Sequence, residues 1–179
     1  MKRKSVFIIA EIGINHGGNL NQAKRLIDSA VNCGVDAVKF QTYKTEKRVE
    51  KSSPIFKILK DCELSFKDFE TLKSYSEKRN VSFFSTPFDV ESAIKLNKFQ
   101  SIFKISSGDN NFLELIETIA GFGKPIIIST GFADYKLLKY IYKKIINIWE
   151  KKKVKSQIIF MHCVSDYPVE DRFANLNAI

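Results

Sequence analysis

The chain alternates short apolar runs with longer segments in which apolar residues recur every three or four positions. Short runs rich in β-branched and aromatic residues predict strands, and a spacing of three to four predicts helices that bury one face. The six predicted strands cover residues 6–11, 37–42, 82–86, 102–106, 126–130 and 158–163. Strands that alternate with helices are typical of βα units built on a parallel sheet.

The helical pattern is clearest between the first two strands, where apolar residues recur from Leu20 to Val31. Gly34 follows at the position of a C-terminal cap glycine, which predicts where this helix stops. Similar patterns predict helices over 65–78, 90–97, 112–121 and 134–150, and a further one beginning at Asn175. The stretch 43–64 is long, charged and weakly patterned, so we expect an excursion that is either a functional lid or a floppy insertion.

Six βα units fit either a doubly wound open sheet or part of a (β/α)8 barrel. The loop after the first strand reads GINHGG and lacks the GxGxxG spacing of a dinucleotide site, and KFQ stands where that site needs an acidic residue. We therefore predict the α/β class with a (β/α)8 TIM-type barrel. Such a barrel has eight strands and about 250 residues, so a chain of 179 residues supplies only about six of its units.

The charge balance is basic, with 29 Lys and Arg against 20 Asp and Glu. The lysines are scattered apart from the runs at 2–4 and 151–153, and neither run is interleaved with aromatic residues. This distribution favours a solvated exterior over a nucleic-acid partner, while an anionic small molecule stays open as a ligand.

Three cysteines, Cys33, Cys62 and Cys163, lie far apart without a CxxC pair. This spacing argues against a disulfide framework or a zinc ribbon and favours a reducing compartment. No segment approaches the ~20 apolar residues of a membrane span. We expect a cytoplasmic protein with no membrane contact.

Polar residues end or interrupt every predicted strand, and in a barrel these positions face the reaction. Each one singly has an ordinary structural explanation, such as turn chemistry or a snorkelling lysine. Together they place two lysines and several hydroxyls beside a carboxylate, and buried lysines without an anion would be costly. Lysine charges and hydroxyl donors of this kind predict a phosphate site. The strand-end residues are Glu11, Lys39, Gln41, Ser85, Thr86, Lys104, Ser106, Ser107, Asp109, Ser129, Thr130, His162 and Ser165.

Six blocks carry a family resemblance: AEIGINHGG, AVKFQTYK, FFSTPFD, KISSGD, IISTG and HCVSDYP. In this order and at about this spacing the chain resembles the sialic acid synthase family, from about Val6 to its last residue. The resemblance implies a barrel that condenses phosphoenolpyruvate with the aldehyde of an N-acetylmannosamine-type sugar. The product would be a nonulosonate (a sialic, legionaminic or pseudaminic type of acid) with release of phosphate, assisted by a divalent metal, Mn²⁺ or Mg²⁺.

The resemblance also implies roles for individual residues. Glu11 matches a glutamate that faces the reacting groups, and we expect it to act as a base or to orient water. Asp109 stands where the family usually has a glutamate on the sugar. Ser165 and Tyr167 fall in a loop that elsewhere carries an Asn and a Tyr. The residues matched to phosphoenolpyruvate binding are Lys39, Thr86, Lys104, Ser107 and Ser129, with Gln41 added from the same strand as Lys39.

Other features of the family are not matched in this chain. The two histidines that bind the metal in the family lie on later strands, so we expect the metal ligands beyond Ile179 and structural hydrogen bonds for His16 and His162. The family's C-terminal antifreeze-like domain, which caps the partner subunit's site in a homodimer, is also not matched. We therefore expect residues 1–179 to be the N-terminal part of such a barrel.

Two other functions stay open. One is a non-catalytic remnant that at most binds an anion. The other is a different barrel that uses phosphoenolpyruvate with a sugar phosphate, which the NHGG and HCVSDYP blocks disfavour.

Overall fold

The structure is a computed structural model that describes residues 6–179, so the basic run at 2–4 lies outside the described residues. The chain divides into two compact units, one up to Gln100 and one from Ser101 to Ile179. Each unit contains a three-stranded parallel sheet whose strand order follows the sequence. The predicted α/β class with parallel βα units is confirmed.

The first unit contains three strands and five helices. They are β1 (Ile9–Gly13), α1 (Leu20–Asn32), β2 (Ala37–Thr42), α2 (Thr45–Arg48), α3 (Phe56–Asp61), α4 (Phe66–Lys78), β3 (Ser82–Pro87) and α5 (Val90–Leu96). The three main helices begin at side-chain caps, which satisfy their first backbone N–H groups. These caps are Asn19 for α1, Ser65 for α4 and Asp89 for α5. Gly34 follows α1 with a φ of +76°, as its predicted role as a cap glycine requires.

The register of the first sheet puts different kinds of side chain on its two faces. Glu11 pairs with Lys39, and Lys39 pairs with Phe84. Paired residues of a parallel sheet share a face and successive residues alternate, so Val38 and Phe40 point the other way, into the hydrophobic core that includes Ile27 of α1 and Leu72 of α4. One face is therefore apolar and covered by helices, and the opposite face presents the charged pair.

The predicted bounds of the first strand were wrong at both ends. β1 begins at Ile9 because its pairing partner β2 begins at Ala37, opposite Ile9. It continues past Glu11 through an irregularity in the register and reaches Gly13, which has a φ of +58°. Glu11 therefore lies inside the strand rather than at its end.

The excursion at 43–64 is an ordered segment with two short helices, α2 and α3. The hydroxyl of Tyr43 donates to the carbonyl of Leu59 at 2.9 Å. A Cβ added to Gly18 would overlap the carbonyl oxygen of Asp61, so α3 packs directly against the loop that follows β1. These contacts exclude a floppy insertion, and its role as a lid stays a prediction.

The second unit contains β4 (Phe103–Ile105), α6 (Leu113–Gly121), β5 (Ile126–Ser129), α7 (Tyr135–Lys152), β6 (Ile158–Met161) and α8 (Asp171–Ala174). Trp149 of α7 donates its indole N–H to the carbonyl of Ala120 in α6 at 2.9 Å, which joins the two helices. The prediction of a helix beginning at Asn175 was wrong. Asn175 has a φ of +45° that ends α8, and only one 3₁₀ turn, Leu176–Ala178, follows it.

α7 is the longest helix of the described chain, and it carries too many lysines for a bilayer. Across residues 6–179, no helix combines the length and the apolar character that crossing a membrane requires.

Candidate functional site

The first unit gathers four of the predicted site residues on one face of its sheet, and we call them the Lys39 cluster: Glu11, Lys39, Gln41 and Thr86. The Lys39 side chain is buried, with the residue 8% exposed. Its ammonium donates to Oγ1 of Thr86 at 3.1 Å and forms an ion pair with the half-exposed carboxylate of Glu11. Gln41 is two residues beyond Lys39 on the same face of β2.

Gly13 lies against this cluster. A Cβ at Gly13 would lie 3.2 Å from Oε1 of Glu11 and 3.6 Å from Nε2 of Gln41. The side chains of Glu11 and Gln41 therefore both lie close to the backbone of Gly13. A buried ammonium, an amide and a hydroxyl can all donate hydrogen bonds to an anion, and the exposed side of Glu11 leaves this group open to solvent.

The second unit gathers another set, the Lys104 cluster: Lys104, Ser107, Ser129 and Ser165. Lys104 is 6% exposed. Its ammonium donates to Oγ of Ser129 at 2.5 Å and to the carbonyl of Ile105 at 2.8 Å. Lys104 pairs with Ile127 in the neighbouring strand, which puts it on the same face of the sheet as Ser129.

Gly131 brings two further hydroxyls to this cluster. A Cβ at Gly131 would overlap Oγ of Ser165 and lie 2.8 Å from Oγ of Ser107. The segments that follow β4 and β6 therefore meet the backbone just after β5. Only glycine leaves room for both hydroxyls at this point.

Two buried side-chain amides form hydrogen bonds with backbone groups at or near the ends of strands. Neither was among the predicted site residues. Asn110 donates from Nδ2 to the carbonyl of Gly131 at 2.8 Å. Gln100 accepts from the backbone N–H of Ser85 at 2.9 Å and donates to the carbonyl of the same residue at 3.2 Å. Neither amide lies in a predicted strand or at its end, so the strand-end argument could not find them. An Asn directly after the KISSGD block was the only local signal for Asn110.

The surroundings of Asp109 and Tyr167 differ from those of the buried lysines. The carboxylate of Asp109 accepts a short hydrogen bond from the hydroxyl of Ser106, within the turn that contains Ser107. Tyr167 is 94% exposed. Their predicted roles toward a sugar therefore rest on the family resemblance.

Each of the two histidines makes a structural contact. Nδ1 of buried His16 accepts from the backbone N–H of Gly18 at 3.1 Å, and its ring lies 5.9 Å from the ring of Phe40. Burial lowers the pKa of His16 and outweighs the opposing effect of the Gly13 carbonyl, which favours the neutral imidazole. Nε2 of His162 lies 2.8 Å from the carbonyl of Ala174.

A metal centre does not form from the described residues. Within 6–179, no three His, Cys, Asp or Glu side chains come together in a group that would hold a metal ion. The residues present therefore do not fit the divalent metal that the resemblance implies.

Comparison with known proteins gives a consistent result. The model of the NeuB family matches residues 26–179. An uncharacterised protein of Methanocaldococcus jannaschii is 43% identical over 184 residues, which cover 99% of this chain and 52% of that protein. The N,N'-diacetyllegionaminic acid synthase of Campylobacter jejuni is 36% identical over 192 residues, which cover 98% of this chain and 56% of the synthase. The chain spans about half the length of the curated relatives it matches.

The fold has a solved counterpart. The N-acetylneuraminic acid (sialic acid) synthetase of Leptospira borgpetersenii serovar Hardjo-bovis, crystallised in complex with citrate, matches with a TM-score of 0.88 and 40% sequence identity. The match covers 98% of this chain and 60% of that structure.

Proposed function

Because the chain belongs to the NeuB family, we propose that it supplies the phosphoenolpyruvate-binding residues of a nonulosonate synthase. In the proposed reaction, C3 of phosphoenolpyruvate forms a bond to the aldehyde carbon of an N-acetylmannosamine-type sugar. Water then adds to the cation at C2, and phosphate leaves as its C–O bond breaks. The product is a nonulosonate, and the matched synthase of legionaminic acid supports this class of product.

The observation that carries the proposal is the pair of buried lysines. Lys39 and Lys104 each donate to a hydroxyl of a neighbouring strand, and each lies within a strand of a parallel sheet. Burying an ammonium costs several kcal/mol unless charges and hydrogen bonds compensate. The phosphate and carboxylate of phosphoenolpyruvate are anions that ammonium and hydroxyl donors bind well. The Leptospira relative was crystallised in complex with citrate, a small polyanion.

We propose that Gln41 and Thr86 assist Lys39 in binding an anionic group within the first unit. Ser107, Ser129 and Ser165 are proposed to assist Lys104 in the same way within the second unit. These groups would neutralise the charge that collects on phosphate as it leaves. Glu11 is open to solvent and paired with Lys39, so it is suited to orient the water that adds at C2. Asp109 and Tyr167 are proposed at the sugar end. No step is assigned to a metal ion held by residues 6–179.

The proposal is tested by thermal unfolding of the 179-residue chain with and without phosphoenolpyruvate. A ligand that binds only the folded state adds about 2.7 kcal/mol to stability when its concentration is 100 times its Kd. The midpoint temperature of unfolding should therefore rise. Lys104→Ala should abolish that rise. Lys136→Ala removes the same charge from the exposed face of α7 and should preserve it. An unchanged rise in Lys104→Ala would overturn the assignment.

A second candidate function is a non-catalytic protein that binds the anion without turning it over. The observation that favours it is that the groups around Lys39 and Lys104 are hydrogen-bond donors, which suit them to bind an anion. It shares the binding site of the first proposal but predicts no release of phosphate. The homodimer and cytoplasmic location implied by the resemblance stay predictions under either candidate.

A further inference from the structure

His16 is a buried polar residue in the loop between β1 and α1, and the proposed reaction gives it no task. It is 2% exposed. Its backbone carbonyl accepts from the N–H of Asn19 at 3.0 Å, and Asn19 is the residue that caps α1. The N–H of Gly17 donates to the carbonyl of Ile14 at 3.0 Å, one turn earlier. The loop therefore consists of tight turns, and the imidazole beside them is buried.

The two ring nitrogens of His16 have different surroundings. Nδ1 accepts from the backbone N–H of Gly18 at 3.1 Å, so the neutral ring carries its proton on Nε2. Gly18 is itself fixed from outside the loop, because a Cβ there would overlap the carbonyl oxygen of Asp61. Within residues 6–179, Nε2 is buried without a hydrogen-bond partner. A buried donor without a partner is destabilising, so packing alone would favour an apolar residue, and the contact of Nδ1 explains the histidine.

The first connection from His16 to the Lys39 cluster runs through β2. The imidazole lies 5.9 Å from the ring of Phe40, which is stacked on Phe83 at 5.5 Å. Phe40 stands between Lys39 and Gln41 in the strand, on the opposite face of the sheet. A change in the packing of Phe40 therefore acts on the strand that carries both of these donors.

The second connection runs through Gly13. Burial lowers the pKa of His16 against the opposing effect of the Gly13 carbonyl, and the neutral ring is the form in which Nδ1 can accept from Gly18. The backbone of Gly13 also lies close to the side chains of Glu11 and Gln41. One short stretch of backbone thus joins the imidazole to the cluster.

We propose that His16 is a positioning residue for the Lys39 cluster. By accepting from Gly18 and packing on Phe40, it fixes the backbone of Gly13 and the strand β2, and with them the side chains that bind the anion. This inference rests on the proposed function, which assigns anion binding to the cluster. It adds a residue that touches no substrate and yet determines how well the site binds.

The test compares His16→Asn with His16→Leu. The two new side chains are similar in size and both lack the ring, but only asparagine has an acceptor at the δ position, where its Oδ1 can replace Nδ1. A merely structural role favours leucine, which leaves no buried polar group unpaired. The positioning role predicts the opposite order, with asparagine closer to wild type.

The first measurement needs no ligand. Nuclear magnetic resonance follows the backbone amide of Gly13 and the side-chain amide of Gln41, and circular dichroism checks that each variant folds. We expect a larger displacement of both resonances in His16→Leu than in His16→Asn. Because both variants lose the imidazole, the difference between them reports the acceptor. Equal displacements in the two variants would overturn the proposal whether or not phosphoenolpyruvate binds.

The second measurement is the affinity for phosphoenolpyruvate by titration calorimetry. His16→Leu should bind about tenfold more weakly than wild type, and His16→Asn should stay within about threefold of it. Equal losses, or a larger loss in His16→Asn, would contradict the positioning role. Absence of binding by wild type would instead refute the proposed function, and the resonances of Gly13 and Gln41 would then decide the role of His16.

A third measurement uses wild type alone and therefore decides the matter even if His16→Leu does not fold. Coupling between two sites is reciprocal, so a contact that favours anion binding is itself favoured by the bound anion. Saturation with phosphoenolpyruvate should slow hydrogen exchange at the amide of Gly18, which donates to Nδ1 of His16. An unchanged rate with the ligand bound would overturn the proposal.

Discussion

Gly131 shows how a single residue positions the polar groups of the second unit. Its lack of a side chain lets the hydroxyls of Ser107 and Ser165 approach the backbone after β5. The buried amide of Asn110 holds the carbonyl of the same glycine. The segments that follow β4 and β6 therefore both depend on one position without a Cβ, just after β5.

Gly131→Ala should destabilise the chain by about 1–3 kcal/mol, the range for an overpacked site, and should reduce the thermal shift caused by phosphoenolpyruvate. Urea denaturation measures the first effect. Gly108→Ala is the control, because a Cβ there would meet only Oγ of Ser106 at 3.9 Å. Equal losses of stability in the two variants would contradict this account.

At the scale of elements, the carboxylate of Glu63 links the two ends of the segment 43–64. Glu63 accepts hydrogen bonds from the backbone N–H of Thr45 at 2.9 Å, from the hydroxyl of Thr45 at 2.8 Å and from the ammonium of Lys44 at 2.9 Å. Burial acts to raise the pKa of Glu63, but these hydrogen bonds outweigh it and lower the pKa to about 2. The carboxylate joins the start of α2 to the residues that follow α3.

This arrangement makes stability depend on pH in a defined direction. The folded pKa of Glu63 lies below its ordinary value of 4.5, so its contribution is complete above that pH and is lost as the pH falls toward about 2. Glu63→Gln should cost about 2 kcal/mol at pH 7. The difference in unfolding free energy between the two proteins should shrink between about pH 5 and pH 2.

Glu91→Gln provides the comparison, since Glu91 forms an exposed ion pair with Lys47 at 2.6 Å. At pH 7, Glu91→Gln should lower the free energy of unfolding by less than about 1 kcal/mol, as is typical of the loss of a surface ion pair. Denaturant titrations at several pH values measure both variants. A difference between wild type and Glu63→Gln that stays constant or grows on acidification would refute the role given to Glu63.

At the scale of the whole molecule, each unit contributes one buried lysine and one parallel sheet. The net charge of +9 attracts anions to the surface in general. The buried ammonium groups differ from that background because hydroxyls of neighbouring strands orient them. The proposed anionic ligand would thus be attracted by the net charge in general and by these oriented ammonium groups in particular.

The two candidate functions differ in a measurement on the whole chain. With phosphoenolpyruvate, N-acetylmannosamine and Mn²⁺, the synthase proposal expects wild type to release phosphate faster than Lys104→Ala, because the ammonium of Lys104 is one of the donors proposed to bind the anionic substrate. The binding proposal expects no release of phosphate from either protein. Equal rates of release in wild type and Lys104→Ala would contradict the synthase proposal.

The sequence by itself determined the order and type of the main elements. Periods of two and of three to four residues are local properties, so β2 was predicted with its observed bounds and Gly34 with its role as a cap. The same patterns placed Lys39 and Lys104 within strands. Six ordered motifs also indicated the family that the comparison then showed.

The tertiary structure alone decided the contacts between residues far apart in the chain. The register with β2 put Glu11 inside its strand and beside Lys39, and the packing of α3 on Gly18 ordered a segment without a clear pattern. Asn110 and Gln100 gained their roles only when strand ends lay next to them. The exposure of β6 was likewise invisible in its apolar sequence, because local pattern reports which side chains prefer burial, and only the neighbouring strands decide whether burial occurs.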